Sequence, residues 1–272
     1  VMVDDRVLHA AGQLDFGIAD QCAQRVAQGG GDRVLDLGAH DGTLGRALKA
    51  DPLVASKVGE IVPADLSPAF GHMQADEEEL PFQEQSFDLV VSALSLHWVN
   101  DLPGALVQIR DALRPDGLFL GVLLGGETLT ELRQCLMEAE LAASGGASPR
   151  VSPMVGMRDA AGLLQRASFA LPVADSETIN VTYKDALSLM RELRGMGEGN
   201  ALVARPRRPM SREVIARASA LYAERFADAD GRIRATFQAI FLTGWAPAAN
   251  QQQPAKRGSG EVNLRDVFGS KC

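Results

Sequence analysis

Between residues 33 and 143 the apolar positions follow two alternating rhythms. Short, partly β-branched runs at 33–37, 60–64, 89–91 and 118–124 read as strands covered on both faces. Between them lie helical spacings. Thr43–Ala50 opens directly from a glycine-containing turn, and Leu102, Leu106, Ile109 and Leu113 recur four, three and four residues apart, on one helical face, with Asn100 or Asp101 as the cap. Strands and helices that alternate in this way predict an α/β fold, a doubly wound, mostly parallel sheet. An amphipathic helix is expected ahead of it over 14–28, ended by Gly29, Gly30 and Gly31.

The second half has another character. Helices are expected at 129–143, 159–167, 184–194 and 211–227, and strands at 178–182 and 236–245. Residues 144–153 are rich in Gly, Ser and Pro and read as a loop or lid. The division that follows is a core over 1–143, a helical lid over 144–230 with a sheet strand near 178–182, a last strand within 231–247, and a mobile tail over 248–272. There is no internal repeat. One interval does not fit a complete sheet: ten residues separate Asp65 from Asp76, whereas a crossover helix alone takes a dozen or so. A truncated sheet edge or a lost segment is expected there.

Composition narrows the partners. A chain of 272 residues, 46% of them hydrophobic and 23% charged, has apolar material enough for a core without covalent staples. Its formal net charge of -8 argues against nucleic acid as a partner. The cluster Arg205, Arg207 and Arg208 is broken by Pro206 and reads as a solvated turn. Cys22, Cys135 and Cys272 are scattered and suggest neither a disulfide framework nor a zinc site, which fits a reducing compartment. The longest apolar run, 118–124, is far short of the roughly 20 residues that span a bilayer, so no transmembrane segment is expected and membrane contact would be peripheral. The chain starts at Val1, which leaves room for a targeting segment ahead of it.

The candidate chemistry lies where strands meet helices. The turn from Asp36 through Gly38 to Gly42 suits a ligand whose polar group approaches backbone N–H groups at a helix start. Asp36 and Asp65, each closing a strand, are placed to accept from a ligand's amine and ribose hydroxyls, or else to cap a plain structural turn. His97 and Trp98 fall just past the strand at 89–91, the edge at which open α/β sheets bind ligands. A histidine there serves as a base, a substrate donor or a cap, and Trp98 as a pocket wall. Glu127 is suited to a guanidinium or to a helix dipole. Arg150 is either a lid contact or a solvated charge, and Trp245 reads as core.

Val34, Leu35, Asp36, Leu37 and Gly38, the acidic segment 75–82, the strand at 86–91 and the turn at 113–117 together resemble the class I S-adenosylmethionine-dependent methyltransferases over 34–124. The resemblance implies a Rossmann-like sheet and S-adenosylmethionine as cofactor. It makes Asp36, Gly38, Gly42, Asp65, Asp76, Glu77 and Ser92 the cofactor-binding candidates, with Asp76 on the adenine and Asp65 on the ribose. His40 stands where that family usually has a second glycine. At positive φ it costs about 1–2 kcal/mol, and cofactor binding is expected to suffer if that strain opposes it.

A narrower resemblance runs to the C-terminal region. Segments 95–103, 125–133, 148–153, 193–201 and 235–245, and the tail near 255–259, are similar to the mitochondrial complex I assembly factor 5 family. That resemblance implies hydroxylation of an arginine in the iron–sulfur subunit of complex I, on the matrix face of the inner membrane. His97, Trp98 and Glu127 become the candidates for the catalytic site. The four histidines, His9, His40, His72 and His97, include no His-x-Asp/Glu pair, so no conventional iron triad is expected. Two other readings stand beside it. One is an O-methyltransferase acting on malonyl-acyl-carrier protein in biotin synthesis, located in a bacterial cytoplasm. The other is a non-catalytic assembly chaperone.

Overall fold

The computed structural model describes residues 31–251. The helix expected at 14–28 and the tail from 252 onward lie outside those residues. Seven strands form one sheet in the order β3-β2-β1-β4-β5-β7-β6. β1 (Gly31–Leu37) lies between β2 (Val58–Asp65) and β4 (Phe87–Ala93), all parallel. β4 continues in parallel to β5 (Leu113–Leu124), and β7 (Ile233–Trp245) runs antiparallel to both β5 and β6 (Ala170–Tyr183). Pairing on both sides explains why β1 and β4 are the most apolar runs. Val34, Leu35, Leu37, Val90 and Val91 are fully buried.

Helices follow where caps and stripes place them. α1 (Thr43–Ala50) spans the predicted residues and buries Leu44 and Leu48 on one sheet face, with the short α2 (Pro52–Ala55) after it. α3 (Leu102–Ala112) starts at Asp101, whose carboxylate accepts from Gly104 N at 3.0 Å, and packs Leu106 and Ile109 on the other face with α5 (Met157–Arg166). A separate apolar cluster joins α4 (Thr130–Ser144), α6 (Ala186–Gly195) and α7 (Arg212–Phe226) to one end of β6 and β7, around Tyr222, Leu189 and Ile233. Cys135 is buried in that cluster, where burial pushes its thiol up to about 11. It packs as a small hydrophobe.

Three elements differ from the sequence expectation. β6 covers fourteen residues rather than the five at 178–182, because an edge strand with polar residues facing solvent gives a weak pattern at Asp175, Ser176 and Glu177. β5 begins at Leu113 rather than 118, since Leu113 pairs with Phe87 across a register shift and Asp116 turns through φ 66°. The short 65–76 interval still carries an edge strand, but β3 (Met73–Gln74) is two residues long, paired with Ala64 and Asp65. A single 3-10 turn, Pro68–Phe70, replaces the crossover helix. Phe70 stacks near His40, with ring centroids 4.9 Å apart.

Candidate functional site

Three strands of the sheet, β1, β4 and β5, bring their carboxyl ends together. After β1 the chain is left-handed at Gly38 (φ 69°), His40 (φ 50°) and Gly42 (φ 78°), which opens α1. The Asp65 carboxylate braces this turn from β2. Its oxygens accept from His40 N and Ser67 N, both at 2.8 Å. Asp36 is buried at the end of β1, beside a small cavity of about 210 Å³ against α1.

Gly38 is required for space as well as for its backbone conformation. A Cβ there would lie 2.2 Å from Ser95 Cβ and 3.2 Å from Glu77 Oε1, and the Ser95 hydroxyl donates to that same carboxylate oxygen. Glu77 is thus buried against the turn, while Asp76 beside it is exposed and accepts from Glu78 N at 2.9 Å in a tight turn. Gln108 of α3 holds this acidic segment in place, its Oε1 accepting from Leu80 N at 2.9 Å and its Nε2 donating to Glu78 O at 2.7 Å. Ser92 sits elsewhere. It is fully buried within β4, opposite Gly121, and its hydroxyl makes no hydrogen bond among the described residues. The turn after β1 therefore gathers Gly38, Gly42, Asp65 and Glu77, and leaves Ser92 inside the sheet.

Past β4 the chain turns at Leu94 (φ 55°) into the 3-10 turn Leu96–Trp98. This presents His97 and Trp98 to a cavity of about 590 Å³ between the carboxyl edge of the sheet and the helical cluster, within the size range of small-molecule sites. The His97 side chain is 2% exposed, and its Nε2 lies 3.1 Å from Glu198 Oε1. Trp98, 37% exposed, flanks that ring at 5.3 Å between centroids.

Glu198 comes from the far wall and was not among the residues singled out from sequence. α6 ends by a left-handed Gly197 (φ 84°), with Gly197 N donating to Arg194 O and Glu198 N to Leu193 O at 2.8 Å. This is the paired closure that fixes the residue after the terminal glycine. The signal was present as a glycine past an apolar helix face, but the contact spans 101 positions.

Arg150 is not a solvated charge: it pairs with Glu140 of α4, which also accepts from Ser148 N at 2.7 Å, and Asn200 Nδ2 donates to Pro149 O at 2.7 Å. Glu127 is exposed on the turn before α4 and does not line the cavity. Gln238 Oε1 holds its backbone N–H at 3.2 Å, which fixes the turn and leaves the carboxylate facing solvent. Glu127 is therefore not brought to His97 and Trp98. Among the described residues no three His, Cys, Asp or Glu side chains group in a way that could hold a metal ion, and no helix is long and apolar enough to cross a membrane.

A family model described as a methyltransferase domain matches residues 35–121. The YcgJ protein from Bacillus subtilis superposes with a TM-score of 0.58 at 15% identity, covering 86% of this chain and 100% of that one, a likeness of fold. The arginine-hydroxylase NDUFAF5, mitochondrial, from Danio rerio is 39% identical over 95% of this chain and 85% of its own length. This chain belongs to the NDUFAF5 family.

NDUFAF5 proteins share the superfamily with a further relative, the malonyl-[acyl-carrier protein] O-methyltransferase of Halorhodospira halophila, 33% identical over 87% of this chain and 81% of its own length. The sheet described above is the Rossmann-like, seven-stranded sheet of class I methyltransferases, with β3 reduced to two residues. The match to the Danio rerio protein spans 95% of this chain and so extends well past the methyltransferase domain at 35–121.

Proposed function

We propose that this protein is a mitochondrial arginine hydroxylase that binds S-adenosylmethionine and acts on the iron–sulfur subunit of complex I during assembly, at the matrix face of the inner membrane. The observation that carries the reading is the reach of the NDUFAF5 likeness, 95% of this chain. A methyltransferase sheet alone hosts many reactions. The lid and the 148–153 and 193–201 segments give this one its cavity.

The residues at the carboxyl edge fit S-adenosylmethionine. Gly38 and Gly42 leave backbone N–H groups approachable at a helix start, Asp65 and Asp76 retain carboxylate lone pairs for the ribose and adenine, and Asp36 and Glu77 are the acidic neighbours of the turn. When bound in methyl-transferring relatives, this cofactor supplies an electrophilic methyl group. Hydroxylation instead needs an oxygen atom from an external oxidant, because no protein side chain donates one. The chain's own part is positioning. His97 is locked by Glu198 on one edge and by Trp98 across its face, and the lid, pinned by Arg150 to Glu140, excludes water from the arginine.

A second reading keeps one supporting observation. Arg194 and Arg205 stand exposed at the cavity rim and suit a carboxylate substrate, such as a malonyl group awaiting O-methylation. Incubation of the purified protein with S-adenosylmethionine, an oxidant system and either an arginine peptide of the complex I subunit or malonyl-acyl-carrier protein separates the two by mass spectrometry. Gain of one oxygen on arginine is expected. Gain of a methyl group on the malonyl carboxylate, with the arginine unchanged, overturns the hydroxylase reading.

A further inference from the structure

We propose that Glu198 is the specificity residue of the larger cavity, the carboxylate that receives the guanidinium of the substrate arginine, with Trp98 as its stacking face. The inference rests on the arginine-hydroxylase reading and adds the group that makes it selective. Among the described residues lining the cavity, Glu198 is the only carboxylate. A guanidinium taken from water into such a space requires an anion within hydrogen-bond reach, since an unpaired charge is not tolerated there. The other charges are arranged not to compete. Arg150 is neutralised by Glu140, Arg205 donates to the Ala201 and Leu202 carbonyls at 3.2 and 2.9 Å, and both Arg194 and Arg205 stay exposed at the rim.

Glu198 itself lies deeper, with a side chain 15% exposed. The ring of His97 donates from Nε2 to Oε1, while its buried Nδ1 makes no hydrogen bond among the described residues. That one ring nitrogen faces both carboxylate oxygens, at 3.1 and 3.4 Å, and leaves their other lone pairs for a two-pronged N–H donor, the geometry that guanidinium groups favour. The exposed ring of Trp98 stands next to that imidazole, so carboxylate and aromatic face converge on one volume. Planar cations stack on such rings. Gly197 fixes the direction of approach from α6.

The test compares an arginine peptide with the same peptide carrying citrulline, a neutral shape-mimic. Binding is read by calorimetry in wild type and E198Q, and hydroxylation by mass spectrometry. Wild type should bind the arginine peptide at least tenfold tighter, about 1.4 kcal/mol. E198Q should bring the two within about threefold by weakening only the arginine peptide, while its S-adenosylmethionine affinity and thermal midpoint stay at wild-type values. An E198Q protein that keeps the tenfold preference overturns the proposal and leaves the hydroxylase reading intact if arginine is still oxidised. A wild type that binds neither peptide removes both. Should E198Q fail to fold, unaltered protein still decides: methylguanidinium should displace the arginine peptide and methylurea should not, whereas equal displacement by the two overturns the assignment.

Discussion

A residue other than glycine takes a left-handed conformation after each of the three strands that meet at the site. They are His40 (φ 50°) after β1, Leu94 (φ 55°) after β4 and Leu129 (φ 56°) after β5. Each costs of the order of 1–2 kcal/mol, and such strain gathers where geometry serves function. The departure at His40 was legible in the sequence, but its consequence changes with the structure. A contact within the protein, His40 N donating to the Asp65 carboxylate at 2.8 Å, braces the turn in this conformation, which assigns the strain to folding rather than to binding. His40→Gly should therefore raise the thermal midpoint by about 2–4 °C and alter S-adenosylmethionine affinity by less than threefold, as scanning and titration calorimetry would measure. A large gain in affinity with no change in midpoint would place the strain in the binding step. Gly38→Ala meets both a positive φ and a Cβ contact of 2.2 Å with Ser95. It should cost well over 1 kcal/mol in urea unfolding; a cost near zero would mean that the turn opens freely from Ser95.

Helices and inner strands were readable because burial on one stripe or on both faces leaves a pattern. Thr43–Ala50 and the run within Phe87–Ala93 show it directly. The first half of β6, the bulged start of β5 and the two-residue β3 were not, since an edge, a bulge and a single turn leave too little periodicity. The Gln108 clasp and the His97–Glu198 pair were hidden for a different reason: each partner is ordinary on its own element, and only the topology joins them. Lid attachment has a pH signature. Burial disfavours the charge on Glu140, but hydrogen bonds from Arg150 and Ser148 outweigh it and hold the carboxyl below its ordinary value. The Ser188 N–H does the same for Asp185, the cap of α6. A depressed folded pKa stabilises above the unfolded value, and the contribution disappears as pH falls through the folded one. Acidification below the ordinary carboxylate range should thus loosen the 145–156 loop and α6, exposing them to an acid protease before the sheet yields. E140Q should expose the 145–156 loop, but not α6, to a neutral protease at neutral pH. Equal protection of lid and sheet across that range would contradict the attachment.

At the scale of the whole molecule the two apolar clusters on the sheet faces and the third around α4, α6 and α7 are distinct bodies of core, and the cavity with His97 and Glu198 lies where the third meets the carboxyl edge. Amide exchange should follow that plan, slowest in β1 and β4 and fastest in β3 and the loop past α4; uniform protection would contradict it. The NDUFAF5 likeness covers 95% of this chain, which supports the proposed site at the meeting of core and lid. The most direct measurement is mass spectrometry of the complex I iron–sulfur subunit from cells lacking their own NDUFAF5 and expressing this chain in mitochondria. Arginine carrying one added oxygen with wild type, and unmodified arginine with E198Q or His97→Ala, is the predicted result. A fully assembled complex I whose arginine stays unmodified in the presence of the wild-type chain would contradict the enzyme and leave a chaperone in its place.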